Sequence, residues 1–363
     1  MRIGEETLGE ILAAGRELGF AACGAASLAP SAMGEALADW LARGRHAGMA
    51  FLPRTAATRV DPRTKWSWAR GALVGAVSYA GGPAQVGSPE DDPGGPGVRR
   101  YVSRYARGRD YHEVVKERLR AWGDRSEAIV GRPLRRVALC DTSAILEREL
   151  AVRAGIGWIG KNTCLVGERG NSWLFLGVLL VDAEICAQDP PEDLLASSRC
   201  RDCRACLDAC PTGALVEPFV LDARRCLSYL SIEHRGPIPT EFHRALGTRL
   251  LGCDACQEAC PWNRVAGMPA APDPGLGSLP ALEELALADV ASLDEAGFRE
   301  RFRGSAIARA KRAGLVRNAL LVGANLGDAA VAEVARRLVS DPDDGIRDAA
   351  RACLARREGE TSR

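Results

Sequence analysis

The sequence predicts three parts: an α/β N-terminal domain, a ferredoxin-like domain organised around metal, and an all-α C-terminal domain of HEAT-like helical repeats. Three observations support this division. Predicted strands and helices alternate up to about residue 185, eight of the thirteen cysteines lie between residues 200 and 260, and the last third is helical in pattern. We expect the domains to span 1–185, 186–267 and 268–363.

The N-terminal part alternates between the two hydrophobic periodicities that distinguish helices from strands. The expected elements are helices over 5–18, 110–122 and 143–154, and strands over 72–79, 136–140 and 173–181. The segment 81–97 is rich in Gly and Pro, which predicts an irregular surface loop.

The C-terminal part follows a Pro- and Gly-rich linker over 268–280. Its pattern predicts paired helices over 309–326, 329–340 and 343–356. Because this is fewer repeat units than a free-standing solenoid needs, we expect the tail to pack against the rest of the chain.

Charge and cysteine content narrow the class of protein. The 48 basic and 47 acidic residues nearly cancel, so any nucleic-acid footprint must be local. The N-terminus lacks a basic secretory pattern and no apolar run approaches the roughly 18 residues of a membrane span. We therefore expect a soluble, cytoplasmic protein without membrane contact, in which the odd number of cysteines favours metal ligation over disulfides.

The first cysteine run, CRDCRACLDACP, has ligand spacings of two, two and three residues followed by a proline. This is the bacterial ferredoxin run, in which three thiolates bind one 4Fe-4S cluster and the fourth binds a second cluster. The three are Cys200, Cys203 and Cys206, and the fourth is Cys210.

The second run, GCDACQEACPW, lacks its first cysteine, because Leu250 stands at that position. Cys226 lies between the two runs and can fill the gap. The expected ligands are Cys200, Cys203, Cys206 and Cys260 for the first cluster, and Cys210, Cys226, Cys253 and Cys256 for the second. Structural zinc is the alternative, but it does not explain the triple spacing or the prolines.

The other five cysteines fit no ligand spacing, and we expect them to be buried thiols. They are Cys23, Cys140, Cys164, Cys186 and Cys353.

The segment GIGWIGKNT, residues 155–163, matches two phosphate-binding patterns but follows a predicted helix rather than a strand. That context argues against nucleotide binding, so we expect a glycine-rich helix end and turn. Asp141 is more informative, because it follows a predicted strand and precedes a predicted helix. From local pattern alone it could cap that helix or face a ligand.

The blocks DTSAILERELAVRAGIGWIGKNT, CRDCRACLDACPTGA, RRCLSYLSIEHRGPIP, GCDACQEACPWNR and KRAGLVRNALL together resemble the epoxyqueuosine reductase family. The resemblance spans most of the chain. It implies reduction of the epoxide of epoxyqueuosine, at the wobble position of certain tRNAs, to the alkene of queuosine, with cobalamin and two 4Fe-4S clusters. It also implies that Asp141 is the general acid, which favours the catalytic interpretation over the capping one.

The resemblance further implies cobalamin contacts at Asp141 itself and at six other positions, each of which could instead be an ordinary solvated residue. They are Arg63, Tyr105, Lys161, Asn162, Thr163 and Ser228. The sequence departs from the family at Ser143 and Ala144, where many members have a proline after a small residue. None of its four histidines lies in an Asp-x-His-x-x-Gly segment, which implies a base-off cofactor without a protein histidine.

A local basic stripe over 299–317 contains seven basic residues and one acid, Glu300. Such a stripe could be a solvated helix face, but beside a helical tail in a tRNA-modifying family it favours phosphate contacts. The expected tRNA contacts are Arg235, Lys311, Arg312, Arg317 and Asn318.

The implied partners are a tRNA with a queuosine-type anticodon and an external electron donor, with the chain itself a monomer. Two other functions remain open from the sequence. A reductive dehalogenase also joins a corrinoid domain to two ferredoxin-type clusters, and a plain electron carrier would need the cluster domain alone.

Overall fold

The computed structural model describes residues 1–80, 97–185, 194–195, 198–264 and 272–361. The loop expected over 81–97 lies, apart from residue 97, outside these ranges, and so does Cys186. The predicted domain boundaries at 185/186 and 267/268 fall at the edge of, or within, segments outside the described residues, and they stay predictions.

Strands and helices alternate through the N-terminal part, as the periodicity indicates. Its strands are β1 (Arg2–Ile3), β2 (Ala22–Ser27), β3 (Gly71–Ser78), β4 (Arg136–Leu139), β5 (Gly157–Ile159), β6 (Leu165–Gly167), β7 (Leu174–Val181) and β8 (Glu184–Ile185). Two further short strands, β9 (Leu215–Glu217) and β10 (Val220–Leu221), lie in the cysteine-rich region. The longer N-terminal helices are α1 (Glu5–Glu17), α2 (Gly34–Ala42), α3 (Phe51–Arg54), α4 (Ala56–Val60), α5 (Tyr111–Val130) and α6 (Glu147–Arg153).

A four-stranded sheet in the order β2-β3-β7-β4 forms the centre of this part, and every neighbouring pair in it is antiparallel. Helices α1 and α5 cover one face and α6 covers the other. Since both faces are buried, alternate residues of β3 and β7 enter two different cores, which is why both strands read as continuous apolar runs. The alternation of elements predicted the layers but did not fix the strand direction.

Helix α5 lies close to β7 and carries residues of the site at its first turn. A Cβ at Gly177 would lie 2.5 Å from the side chain of Val115, so a larger residue there would push the helix away. Asp110 precedes the helix and accepts a hydrogen bond from the backbone N–H of His112 at 3.0 Å, which satisfies one of the free N–H groups of the first turn.

The helix expected over 143–154 is shorter than predicted, because α6 begins only at Glu147. Residues 140–146 form an irregular loop in which Asp141 has a φ of 53°. Its backbone N–H donates to the Glu147 carboxylate at 2.5 Å, so that side chain holds the loop instead of a helical turn.

The cysteine-rich region contains short elements and contacts the β5–β6 hairpin, where the rings of Trp158 and Trp262 pack edge to face at 4.9 Å. Its helices are α7 (Ala205–Asp208), α8 (Leu227–Ile232), α9 (His243–Leu246) and α10 (Ala255–Glu258). Asn263, fully buried, accepts from the backbone N–H of Ser172 at 2.6 Å and donates to its Oγ at 2.8 Å. The second cysteine run is thereby fastened to the start of β7.

The C-terminal part is helical over its described residues. Its helices are α11 (Ala281–Glu284), α12 (Leu287–Ala291), α13 (Glu295–Phe302), α14 (Lys311–Leu326), α15 (Ala329–Leu338) and α16 (Asp344–Thr361). Helix α14 packs against α12, α15 and α16 and also against α8 and α9 of the cysteine-rich region. The tail thus contacts the rest of the chain, as expected from its small number of repeats. Among the described helices, none is long and apolar enough to cross a membrane.

Candidate functional site

Four cysteines from two separate runs line one cavity, together with the turn that follows β5. The cavity is lined by Gly160, Lys161, Asn162, Cys200, Cys203, Cys206, Cys260, Pro261 and Trp262. Burial raises the pKa of the Cys206 thiol to about 11, with further contributions from the nearby Cys260 and Cys200. The structure therefore brings together the four cysteines that the spacing assigns to the first cluster.

The other four cysteines also lie near one another. Burial, together with the neighbouring thiols of Cys253 and Cys210, raises the pKa of Cys226 to about 11. Cys256 in turn lies close to Cys253 and Cys226. Leu250, at the place of the missing ligand, is 1% exposed and belongs to the apolar core.

A zinc site and a 4Fe-4S cluster place different demands on their thiols. A zinc ion requires its sulfurs at about 2.3 Å from one centre, whereas the ligands of a 4Fe-4S cluster each bind a different iron and stand further apart. Within the described ranges, no three side chains of His, Cys, Asp or Glu converge on a single point.

The turn over 160–163 connects the N-terminal part to both cysteine groups. Lys161 donates from Nζ to the carbonyl oxygens of Cys203, at 2.9 Å, and Arg201. Asn162 is 4% exposed and donates from Nδ2 to the carbonyl of Cys256 at 3.4 Å. Gly155, just after α6, has a φ of 68°, so the glycine-rich helix end and turn predicted here are confirmed.

A second group of polar residues surrounds Asp141 at the end of β4. Tyr111 donates from its hydroxyl to Asp141 Oδ2 at 2.8 Å, and His112 Nε2 lies 3.1 Å from the same oxygen. His112 Nδ1 lies 2.6 Å from Asp110 Oδ1. The Tyr111 ring is stacked between His112 and Phe175, with ring centroids 4.1 Å apart on each side.

The contacts around Asp141 change the pKa values of the side chains that surround it. Burial opposes charge on His112, but the carboxylates of Asp110 and Asp141 raise its pKa to about 9. The partial loss of water around its carboxyl would by itself raise the pKa of Asp141, yet the hydrogen bonds from His112 and Tyr111 hold it below its usual value. Burial and the charge of Asp141 raise the pKa of Glu147 to about 8. At neutral pH, the proton of the pair therefore lies on His112.

Asp141 does not cap a helix, so the capping interpretation is wrong. Helix α6 begins six residues later and its N-cap position is Leu146. The side chain of Asp141 is 59% exposed, and its two hydrogen bonds both fall on Oδ2. Within the part of the chain that the structure describes, Oδ1 has no hydrogen-bond partner and is free to face a ligand.

The other expected cobalamin contacts are distributed over several elements. Tyr105 packs edge-on against Tyr111 at 6.1 Å and is within electrostatic range of Asp141. Thr163, with a φ of 66°, accepts from Arg148 through its carbonyl, and Ser228 lies in the first turn of α8, two residues after Cys226. Arg63 is half-exposed and paired with Asp61 at 2.9 Å.

The expected tRNA contacts divide into exposed and buried residues. Lys311 is exposed with a φ of 63°, and Arg235 is exposed but donates to the carbonyl of Arg309 at 3.0 Å. Arg312 donates to the carbonyl of Leu293 at 2.6 Å and lies mostly buried beside Asp341.

Arg317 and Asn318 require a correction, because they are 2% and 0% exposed. Arg317 donates to the carbonyl oxygens of Leu230, His234 and Gly236, and Asn318 to those of Ser231 and Leu250. These bonds tie α14 to the cysteine-rich region. Neither side chain is available to a phosphate.

Comparison with known proteins gives two matching family models. Residues 199–263 match the 4Fe-4S double cluster binding domain, and residues 59–142 match the model described as Epoxyqueuosine reductase QueG, DUF1730. The epoxyqueuosine reductase of Vibrio cholerae is 39% identical over 293 residues, covering 81% of this chain and 76% of the relative. That of Pseudomonas aeruginosa is 37% identical over 354 residues, covering 96% and 93%.

Solved structures show the same fold at lower identity. A crystal structure of epoxyqueuosine reductase with a tRNA-Tyr epoxyqueuosine-modified tRNA stem loop has a TM-score of 0.81 at 26% identity, covering 96% of this chain and 89% of that one. A Bacillus subtilis epoxyqueuosine reductase, with its aspartate-bearing catalytic loop swung out of the active site, has a TM-score of 0.79 at 26% identity, with the same coverage.

Proposed function

This chain belongs to the epoxyqueuosine reductase family, and we propose that it reduces epoxyqueuosine in tRNA to queuosine with Asp141 and His112 handling the proton. The observation that carries the proposal is the oriented Asp141 carboxylate in a chain that also gathers two complete sets of four cysteines. The reaction converts the epoxide, two electrons and two protons to an alkene and water. It requires a path for electrons and a group that protonates the leaving oxygen.

The protein supplies the proton path through three neighbouring side chains. His112 holds a proton between the two carboxylates of Asp110 and Asp141. Asp141 Oδ2 accepts from His112 and Tyr111, so Oδ1 is the atom that faces the epoxide oxygen. As that oxygen gains negative charge, Asp141 takes up the proton held on His112 and delivers it to the oxygen, which leaves His112 neutral and Asp141 ionised again.

We propose that the cobalamin implied by the family binds beside Asp141. Arg309, paired with Glu233 at 2.6 Å, approaches from the tail and is within electrostatic range of Asp141 and Tyr111, while Tyr105 borders the same space. His112 has both ring nitrogens bonded to carboxylates, which agrees with the implied base-off cofactor. When bound, cobalamin supplies a reducing cobalt centre able to attack the epoxide carbon. Arg63, Tyr105, Thr163 and Ser228 are the residues we propose to hold it.

Electrons would enter at the first cluster. Cys203 is exposed, whereas the four cysteines of the second set are all partly buried. We therefore propose that an external donor reduces the first cluster, which passes electrons through the second toward the space beside Asp141. The cytoplasmic location, the monomeric state and the HEAT-like character of the tail stay predictions.

The alternative functions receive less support. The family match at residues 59–142 lies outside the cluster region, so an electron carrier would leave it without a role. The relative that matches 96% of the chain is an epoxyqueuosine reductase rather than a dehalogenase.

A bacterial strain without epoxyqueuosine reductase tests the proposal. Expression of this chain should convert the epoxyqueuosine in its tRNA to queuosine, as measured by mass spectrometry of tRNA nucleosides. An unchanged nucleoside profile, with the soluble chain present and loaded with iron, would argue against the function.

A further inference from the structure

The loop over residues 140–146, which carries Asp141, is held differently at its two ends. At the end next to α6, Ile145 is buried in a core that also contains Leu150 of that helix, and its carbonyl accepts from Arg59 Nη1 at 3.2 Å. At the other end, Asp141 and Thr142 are exposed, so apolar burial does not fix the acid in place. The position of Asp141 therefore depends on polar contacts.

The backbone of Asp141 is held by Glu147. Its N–H donates to Glu147 Oε1 at 2.5 Å, which closes the loop onto the first residue of α6. Asp141 has a φ of 53°, and a residue with a side chain stays in this left-handed region when its surroundings hold it there. The bonds of its carboxyl to Tyr111 and His112 change when the proton moves. The backbone bond to Glu147 involves no oxygen of Asp141, so it can persist throughout the reaction.

Glu147 stands on a helix that is itself fixed. Two residues along α6, Glu149 pairs with Arg153 at 2.6 Å, and both side chains are buried. Arg153 also donates to the carbonyl oxygens of Ala29 and Pro30 at 2.8 and 2.9 Å. These bonds join α6 to the segment that follows β2. The side chain that accepts from Asp141 therefore starts from a rigid part of the fold.

We infer that Glu147 is a positioning residue for the proton transfer, and that it holds the Asp141 backbone so that Oδ1 faces the epoxide oxygen. An aspartate side chain has few rotatable bonds, so the place of its carboxyl follows closely from the place of its backbone. Tyr111 and His112 then select the rotation of the carboxyl by binding Oδ2. The inference rests on the proposed function, because Glu147 acts through Asp141.

Two variants of similar size separate the acceptor from the packing. Glu147→Gln keeps a carbonyl oxygen that can accept from the Asp141 N–H, and Glu147→Met fills a similar volume without one. Burial and the charge of Asp141 raise the pKa of Glu147 to about 8, so the uncharged Gln is a close replacement at neutral pH. Glu127→Met is the matched control, because Glu127 accepts from the backbone N–H of Leu134 at 2.8 Å, before the start of β4 rather than after its end.

The measurements are the single-turnover rate of epoxyqueuosine reduction in a stem loop, the Kd of that stem loop and the iron count. We expect Glu147→Met to slow the chemical step about tenfold to a hundredfold, because a reacting group displaced by roughly 1 Å can lose that much rate. Its Kd and iron count should match those of the parent. Glu147→Gln and the control should react at close to the parent rate.

A double variant shows whether the effect passes through Asp141. In the Asp141→Asn background there is no acid to position, so Glu147→Met should cause no further loss of rate. A further loss there, a Met variant as fast as the parent, or a Gln variant as slow as the Met variant would overturn the inference. Loss of iron or of stem-loop affinity in the Met variant would make Glu147 a structural residue and overturn it as well. A parent chain that does not reduce epoxyqueuosine would instead refute the proposed function.

Discussion

Replacing Asp141 with Asn separates the proton-transfer role from the structure of the loop. Asp141 has a φ of 53°, in the left-handed region. Apart from glycine, Asn and Asp adopt this region most readily, so Asn can replace Asp141 without added backbone strain. Asn can also accept from the Tyr111 hydroxyl through its own oxygen. The variant should therefore fold, bind iron and load cofactor like the parent.

The size of the effect follows from His112. Its pKa of about 9 exceeds the ordinary 6.5 by about 2.5 units, or ~3 kcal/mol of preference for the charged form. The carboxylates of Asp110 and Asp141 raise this pKa against the opposing effect of burial, so loss of one carboxylate should lower the pKa of His112. Because the folded-state pKa is raised, the associated stability is fully present below about pH 6.5 and is lost as pH rises through about 9. In the Asn variant that loss should begin at a lower pH.

The assay is single-turnover reduction of an epoxyqueuosine-containing stem loop, with cofactor and clusters already reduced under anaerobic conditions. Removal of a general acid typically slows the chemical step about a hundredfold to ten-thousandfold. Asp39→Asn, at an exposed carboxylate paired with Arg43, is the matched control and should react at the parent rate. If Asp141→Asn reacts at that rate with an unchanged His112 pKa, the proposed proton path is refuted.

Four further predictions concern the clusters, the tail and pH. Cys226→Ser should lower the iron count from eight to about four per chain, because Leu250 cannot replace the ligand; retention of eight would show that another group ligates the second cluster. Arg303→Ala with Lys311→Ala should weaken stem-loop binding and reduce its salt slope by about two units, one per phosphate contact, whereas an unaltered slope would leave both residues as solvated surface. Arg317→Ala should instead lower the free energy of unfolding by ~1–3 kcal/mol, because it leaves buried carbonyl oxygens without a donor, and the Tm should fall accordingly. An unchanged Tm would contradict the role of Arg317 in joining α14 to the cysteine-rich region. The single-turnover rate should fall above about pH 9 as His112 loses its proton, and His112→Phe should abolish this limb of the profile.

The cluster ligands were the part of the site most accessible from sequence, because cysteine spacing reports directly on which thiolates can converge. The ligand swap through Cys226 followed from one missing residue at Leu250. The contact of Asn162 with Cys256 could not be recognised this way. It depends on a hairpin from another part of the chain, and no spacing records such a contact.

The surroundings of Asp141 were predicted less completely. The strand before it was predicted, but the helix after it begins later, since Glu147 binds the loop backbone and replaces the first helical turn. Tyr111 and His112 were missed, although the sequence Asp-Tyr-His at the start of a predicted helix was a usable signal. A helix start displays its first side chains at one end, where a neighbouring strand end can meet them.

The prediction that Arg317 contacts tRNA, which rested on the run of basic residues, was wrong for a physical reason. A run of basic residues on a helix does not reveal which side faces the protein, and burial of Arg317 depends on three carbonyls from another region. The same helix start presents Lys311 to solvent. Only the packing of α14 against α8 and α9 distinguishes the buried Arg317 from the exposed Lys311.

The most direct test of the account follows the epoxide oxygen. An epoxyqueuosine stem loop carrying ¹⁸O in the epoxide would be treated anaerobically with the reduced, cofactor-loaded chain, and both nucleoside and water analysed by mass spectrometry. The account predicts queuosine with an alkene and the label released as water, for two electrons consumed. A diol that retains the label would contradict the account. It would mean that the epoxide is hydrolysed at Asp141 and that no electrons from the clusters are used.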